Sequence, residues 1–118
     1  MKEYSGLPSP KVNLLARLVE TIIELSSPEK IILFGSQAQG TATEISDYDF
    51  LIIEKEPFGT TGSRRKEAGK LGWALSKFGV ATDILIYSPE EIEQRRQWKN
   101  GVVTEALSEG KVLYERVQ

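Results

Sequence analysis

Carboxylates seldom interrupt strands that are otherwise apolar, and this chain does so twice. Lys30-Ile31-Ile32-Leu33-Phe34 is a short, β-prone and continuously apolar run, the pattern of a strand buried on both faces. It stops on Gly35-Ser36. After a loop of mostly small residues, Asp47-Tyr48-Asp49 leads into Phe50-Leu51-Ile52-Ile53, and Asp83 stands within Val80-Ala81-Thr82-Asp83-Ile84-Leu85. No Lys or Arg lies inside either acidic segment. Unpaired carboxylates gathered in an apolar setting are costly, so a cation is expected to compensate them.

The rest of the pattern says what surrounds these segments. Ser9 to Leu25 reads as an amphipathic helix, with Ser9 as N-cap and Pro10 as first helical residue. Val12, Leu15, Val19, Ile22 and Ile23 share its apolar face, flanked by Leu14 and Leu18. Strands are expected at Lys30–Phe34, Tyr48–Glu54 and Val80–Tyr87, with a Gly- and Thr-rich connection over Pro57–Gly62. A helix is expected from Ser63 to Phe78, turning Ala68, Leu71, Ala74, Leu75 and Phe78 inward. Ser88-Pro89-Glu90-Glu91 opens another with a capping box. A last helix over Val102–Ser108 stops at Gly110, read as a C-cap, and Lys111–Glu115 forms a terminal strand. Residues 1–118 read as one α/β domain (α+β in some schemes): a mixed sheet covered by helices. The Gly35–Ser46 connection is too short for a full crossover helix, so the first two strands are expected to be antiparallel.

Composition narrows the chemistry. The 118 residues include no Cys and no His. Thiolate nucleophiles, disulfides, cysteine-bound zinc and histidine general bases are therefore excluded. The formal net charge of −2 argues against broad contact with a nucleic-acid backbone. The apolar runs are too short to cross a bilayer and no apolar stretch follows Lys2 as a signal peptide requires, so the expected location is the cytoplasm.

Side chains alternate along a strand, which puts Asp47 and Asp49 on one face with Cα atoms roughly 6.5–7 Å apart. Oxygen donors without His or Cys suit magnesium or manganese, and magnesium is commonly completed by water and substrate phosphates. Gly35 allows a close backbone approach and Ser36 adds a hydroxyl, so this loop suits an anion. Each short motif alone is weak; their order and placement together point to a metal–triphosphate site.

In these residues the chain resembles the DNA polymerase beta-like nucleotidyltransferase superfamily, whose signature is Gly-Ser, a loop, Asp-x-Asp at a strand and a third acid on a later strand. Within it the chain looks most like the minimal nucleotidyltransferases of bacteria and archaea. Ala38, Gly40, Thr41, Ala42 and Ser46 fit their loop, and Glu109-Gly110-Lys111-Val112-Leu113-Tyr114-Glu115 fits their ending. The resemblance runs from about Ile31 to Glu115. It implies the polymerase beta-like fold and the transfer of a nucleotide, AMP from ATP, to an acceptor hydroxyl. It implies catalytic and metal-binding roles for Asp47, Asp49 and Asp83, two magnesium ions, and nucleotide contacts at Gly35, Ser36 and Gln39. One position departs: many relatives carry Arg where this chain has Gln39.

Larger relatives hold the acceptor with extra domains, so here a separate protein or a second copy of the chain is expected to hold it. Relatives of this size are encoded beside HEPN proteins, named for higher eukaryotes and prokaryotes nucleotide-binding. The resemblance implies an antitoxin that adenylylates a tyrosine of a HEPN toxin. A non-catalytic module that neutralises its partner by contact is the alternative. Arg64-Arg65-Lys66 reads as a solvated helix start, and Trp73 and Trp98 as packing or interface residues.

Overall fold

The computed structural model describes residues 9–43, 46–56, 58 and 63–117. The expected connection over Pro57–Gly62 lies, apart from Phe58, outside them. Helix α1 (Ser9–Leu25) is followed by β1 (Lys30–Phe34), a single turn α2 (Ser36–Gln39), β2 (Tyr48–Ile53) and α3 (Arg64–Leu75). Then come β3 (Thr82–Tyr87), α4 (Pro89–Arg95), α5 (Val102–Glu109) and β4 (Lys111–Glu115). Ser9 lies within the first turn of α1, so it does not stand ahead of the helix as a cap.

The four strands lie in the order β3-β2-β1-β4. β1 pairs antiparallel with β2 and with β4, while β2 and β3 are parallel. The short Gly35–Asp47 connection permits only the antiparallel return, and the longer segment carrying α3 supplies the parallel crossover.

After Lys30, β1 is apolar and buried because both of its faces are covered. Ile31 and Leu33 join Phe50 and Ile52 of β2 under Leu15, Leu18 and Ile22 of α1 and Leu71 and Leu75 of α3. Ile32 and Phe34 join Leu51 and Ile53 beneath Ile92 of α4 and Val103 and Ala106 of α5. Burying a side chain of this kind stabilises by about 1.5–3 kcal/mol, so the two layers together fix the register of the central strands.

Gly110 does end α5, but not by the left-handed conformation its C-cap reading implies. Its backbone is extended, at φ −79° and ψ 170°. A side chain there would run into the Ala106 and Leu33 carbonyls and the Ile32 methyl, so the glycine allows α5 to pack against β1. No helix among the described residues is long and apolar enough to cross a membrane.

Candidate active site

Alternation along the strands decides where the acids face. Asp49 shares its side of β2 with Leu51 and Ile53, and Asp83 shares its side of β3 with Leu85 and Tyr87. Both therefore face the side covered by α4 and α5. Asp49 and Asp83 are direct partners in the parallel register, at the end where these strands begin. Asp47 lies just ahead of β2 and is exposed. It belongs to the approach to the strand, where Tyr48 N–H donates to the Ala81 carbonyl at 3.0 Å.

Gly35 occupies the junction between β1 and α2. Its φ of 72° and ψ of −158° fall in a region essentially reserved for glycine. A Cβ at this position would strike the Asp49 carboxylate. The missing side chain thus brings the loop backbone directly against an acid. The Gly35 carbonyl accepts from Ala38 at 3.1 Å and Gln39 at 3.2 Å, which turns the chain into α2. The first amides of that turn have no acceptor within the helix and are available to an anion.

The loop is then tied down by a residue the sequence does not flag. Gln37 is buried, and its Nε2 donates to the Ser46 carbonyl at 3.2 Å. Ser46 Oγ accepts from Thr43 N–H at 2.8 Å. These bonds hold the chain immediately before Asp47.

Burial first, and then the charges of Asp83, Asp47 and Glu105, push the Asp49 carboxyl above its ordinary range. Among the described residues no Lys or Arg pairs with Asp47, Asp49 or Asp83. In this arrangement no three described acidic side chains stand close enough to share one ion. The donor set is nonetheless all oxygen, crowded and uncompensated, which suits a hard divalent cation.

Glu105, on α5, is a further acid facing the same end of the sheet. It escapes sequence reading because nothing local distinguishes it from any exposed helical Glu. Gln39 does not point alone into the loop: its Nε2 donates to Glu109 Oε2 at 2.9 Å, bridging α2 to α5.

At the other end of β3 the structure revises a second reading. Arg64 is not simply solvated. It donates to both Glu91 carboxylate oxygens at 2.6 Å and lies 5.0 Å from the Phe58 ring centre and 5.2 Å from that of Tyr87. Burial alone would raise the Glu91 carboxyl, but the bonds and charge of Arg64 and the bonds from Ser88 outweigh it and hold the group below its usual value. Trp73 and Trp98 are 70% and 54% exposed, so neither packs into the core.

Comparison with known proteins gives the family and the fold. A family model described as "Nucleotidyltransferase domain" matches residues 15–113. A protein of Methanocaldococcus jannaschii named "Putative protein adenylyltransferase MJ0604" is 37% identical over 86 residues, covering 73% of this chain and 78% of that protein. Among solved structures, a toxin–antitoxin complex with AMP-PNP aligns with a TM-score of 0.52 at 23% identity, covering 88% of this chain and 73% of that one. A mutant form of the toxin–antitoxin complex MntA–HpeT aligns at 0.53 and 21% identity, covering 88% and 73%. At these identities the structural likeness speaks for the fold, which is the polymerase beta-like nucleotidyltransferase fold. The matched span takes in the Gly35–Ser36 loop, all three aspartates and α5, and the chain belongs to the nucleotidyltransferase domain family.

Proposed function

We propose that this protein transfers AMP from ATP to a tyrosine hydroxyl of a HEPN-type toxin, and so acts as its antitoxin. The observation that carries the reading is the register of Asp49 beside Asp83, with Gly35 pressed against Asp49. The loop read as the phosphate holder thereby lies against one of the acids read as metal ligands. The family supports nucleotidyl transfer. The M. jannaschii relative's name supports a protein acceptor, and the aligned complexes support a toxin partner.

In this reading Gly35 and Ser36 hold the phosphates through backbone amides and the Ser36 hydroxyl. Asp47, Asp49 and Asp83 are the residues that would hold two magnesium ions. Such ions supply charge stabilisation for the attacking and leaving oxygens. Asp47, exposed and just ahead of the strand, would complete the set. The acceptor oxygen bonds to the α-phosphorus, the bond to the bridging oxygen breaks, and pyrophosphate leaves. Asp83, on the outer strand of the sheet, takes the proton of the acceptor hydroxyl.

The test is to incubate the protein with the toxin encoded beside it, ATP and magnesium, and weigh the toxin. A mass gain of one adenylate, lost with Asp47→Asn, is expected. An unchanged toxin mass would refute the transfer. A second reading has one specific support: Gln39 replaces the usual Arg and bonds to Glu109 rather than standing free. If Asp47→Ala neutralises the toxin as well as the natural protein does, contact alone suffices.

A further inference from the structure

Every charge that α3 shows to solvent is positive. Arg65 and Lys66 are exposed, as is Lys77 in the 3-10 turn Ser76–Phe78 that continues the helix, and Lys70 is half-buried. The one acid of the helix, Glu67, is fully buried, with Lys70 Nζ 3.6 Å away. Among the described residues, Arg65, Lys66 and Lys77 form no ion pair. The chain as a whole carries a formal net charge of −2. On the same side of the sheet, α1 exposes Glu20 and Glu24 beside Arg17. The positive face is thus a property of α3 and not of the layer. A patch of one sign on a chain of the other sign favours an acidic partner.

Trp73 stands within this face, 70% exposed, with Lys77 Nζ 5.0 Å from the centre of its ring. Large exposed rings of this kind are the commonest anchors of protein interfaces. Residues four apart share a row on a helix, which puts Gly69 between Arg65 and Trp73. Gly69 is exposed, and a side chain there would meet no atom of the described residues within 4 Å. Glycine weakens a helix interior, and no contact among the described residues requires it here. It leaves a notch one residue wide beside the indole, open to the close approach of another chain.

The face also lies near the acids. A Cβ on Gly72 would stand 3.9 Å from Thr82 Oγ1, so the turn of α3 that carries Trp73 abuts the start of β3. That is the end of the strand that holds Asp83. β3 is the outermost strand on this side of the sheet, and Asp83 is exposed on the face away from α3. A protein seated on α3 therefore reaches Asp83 by lapping over a single strand. We propose that the outer face of α3, centred on Trp73, docks the acceptor protein, which meets it with an acidic patch and a recess for one indole. The proposal rests on the reading of a protein acceptor above.

Calorimetric titration with the toxin encoded beside the protein, and separately with magnesium and ATP, tests it. The natural protein should bind the toxin less tightly as salt is raised. Trp73→Ala should weaken the toxin by about tenfold or more and leave ATP unchanged. Gly69→Gln should raise the melting temperature, because Gln is the better helix former, and yet weaken the toxin by about tenfold by filling the notch. Lys77→Glu should weaken it by about threefold to tenfold and flatten the salt dependence. Unchanged toxin affinity in both Trp73→Ala and Gly69→Gln, or equal loss of toxin and ATP, overturns the proposal. Trp73→Ala that keeps the toxin but loses a single-stranded RNA oligonucleotide bound by the natural protein overturns it in favour of an RNA platform. Natural protein that does not bind the toxin sinks the reading of that partner, and this proposal with it. A toxin that binds through this face but gains no adenylate refutes the transfer and upholds the docking surface.

Discussion

Gly35 meets two demands at once: a backbone conformation open only to glycine, and contact with the Asp49 carboxylate. Gly35→Ala should cost about 1–3 kcal/mol from the backbone alone. It should also displace Asp49, so activity should fall further than stability, as paired melting and transfer assays would show. Asp49 itself sits where burial and three neighbouring acids disfavour its charge. That penalty is absent at low pH, where the group is neutral, and present in full above its raised titration point. At neutral pH without divalent ions, Asp49→Asn should therefore raise the melting temperature by a few degrees. Magnesium should raise the melting temperature of the natural protein and leave the variant nearly unmoved. A variant that melts lower than the natural protein in chelator would contradict the account of a charge held under repulsion.

At the scale of elements, the cap of α4 carries the clearest pH dependence. Ser88 Oγ accepts from Glu91 N–H at 3.2 Å, and Glu91 Oε1 accepts from Ser88 N–H at 2.9 Å. Arg64 binds the same carboxylate and ties the start of α3 to the start of α4. Folding thus favours the ionised Glu91. Its contribution is complete above the ordinary value of 4.5 and is lost as pH falls through the lower folded value. Denaturant melts should show the natural protein losing its advantage over Glu91→Gln as the pH drops below about 4.5, with a difference of about 1–2 kcal/mol at neutral pH. Equal stability of the two at neutral pH would show the cap to be idle. The capping box was readable because it is local, Ser88 to Glu91. Arg64–Glu91 was not, because it joins residues 27 apart and depends on α3 and α4 converging. The same limit hid Gln37, Glu105 and the Gln39–Glu109 bridge, whereas β1, the antiparallel return and the Gly35–Ser36 turn are visible in the local pattern of apolar and small residues.

Across the whole molecule, acids and aromatics are segregated along one strand. Asp83, second residue of β3, lies beside Asp49, and Tyr87 closes the strand roughly 13 Å away. Arg64 and Arg95 lie 5.2 Å and 4.5 Å from the centre of the Tyr87 ring. These two arginines of α3 and α4 thus lie at the end of β3 away from Asp49 and Asp83. This distribution depends on strand order and register, which local sequence does not encode: alternation paired Asp47 with Asp49 on one strand face, whereas β2 begins at Tyr48, leaving Asp47 ahead of it, and the neighbour of Asp49 in the sheet is Asp83. The most direct test of nucleotidyl transfer follows the phosphorus. With toxin, magnesium and ATP labelled at either the α- or the γ-phosphate, the α-label should appear on the toxin and disappear with Asp83→Asn. Transfer of the γ-label, or of neither, would contradict it.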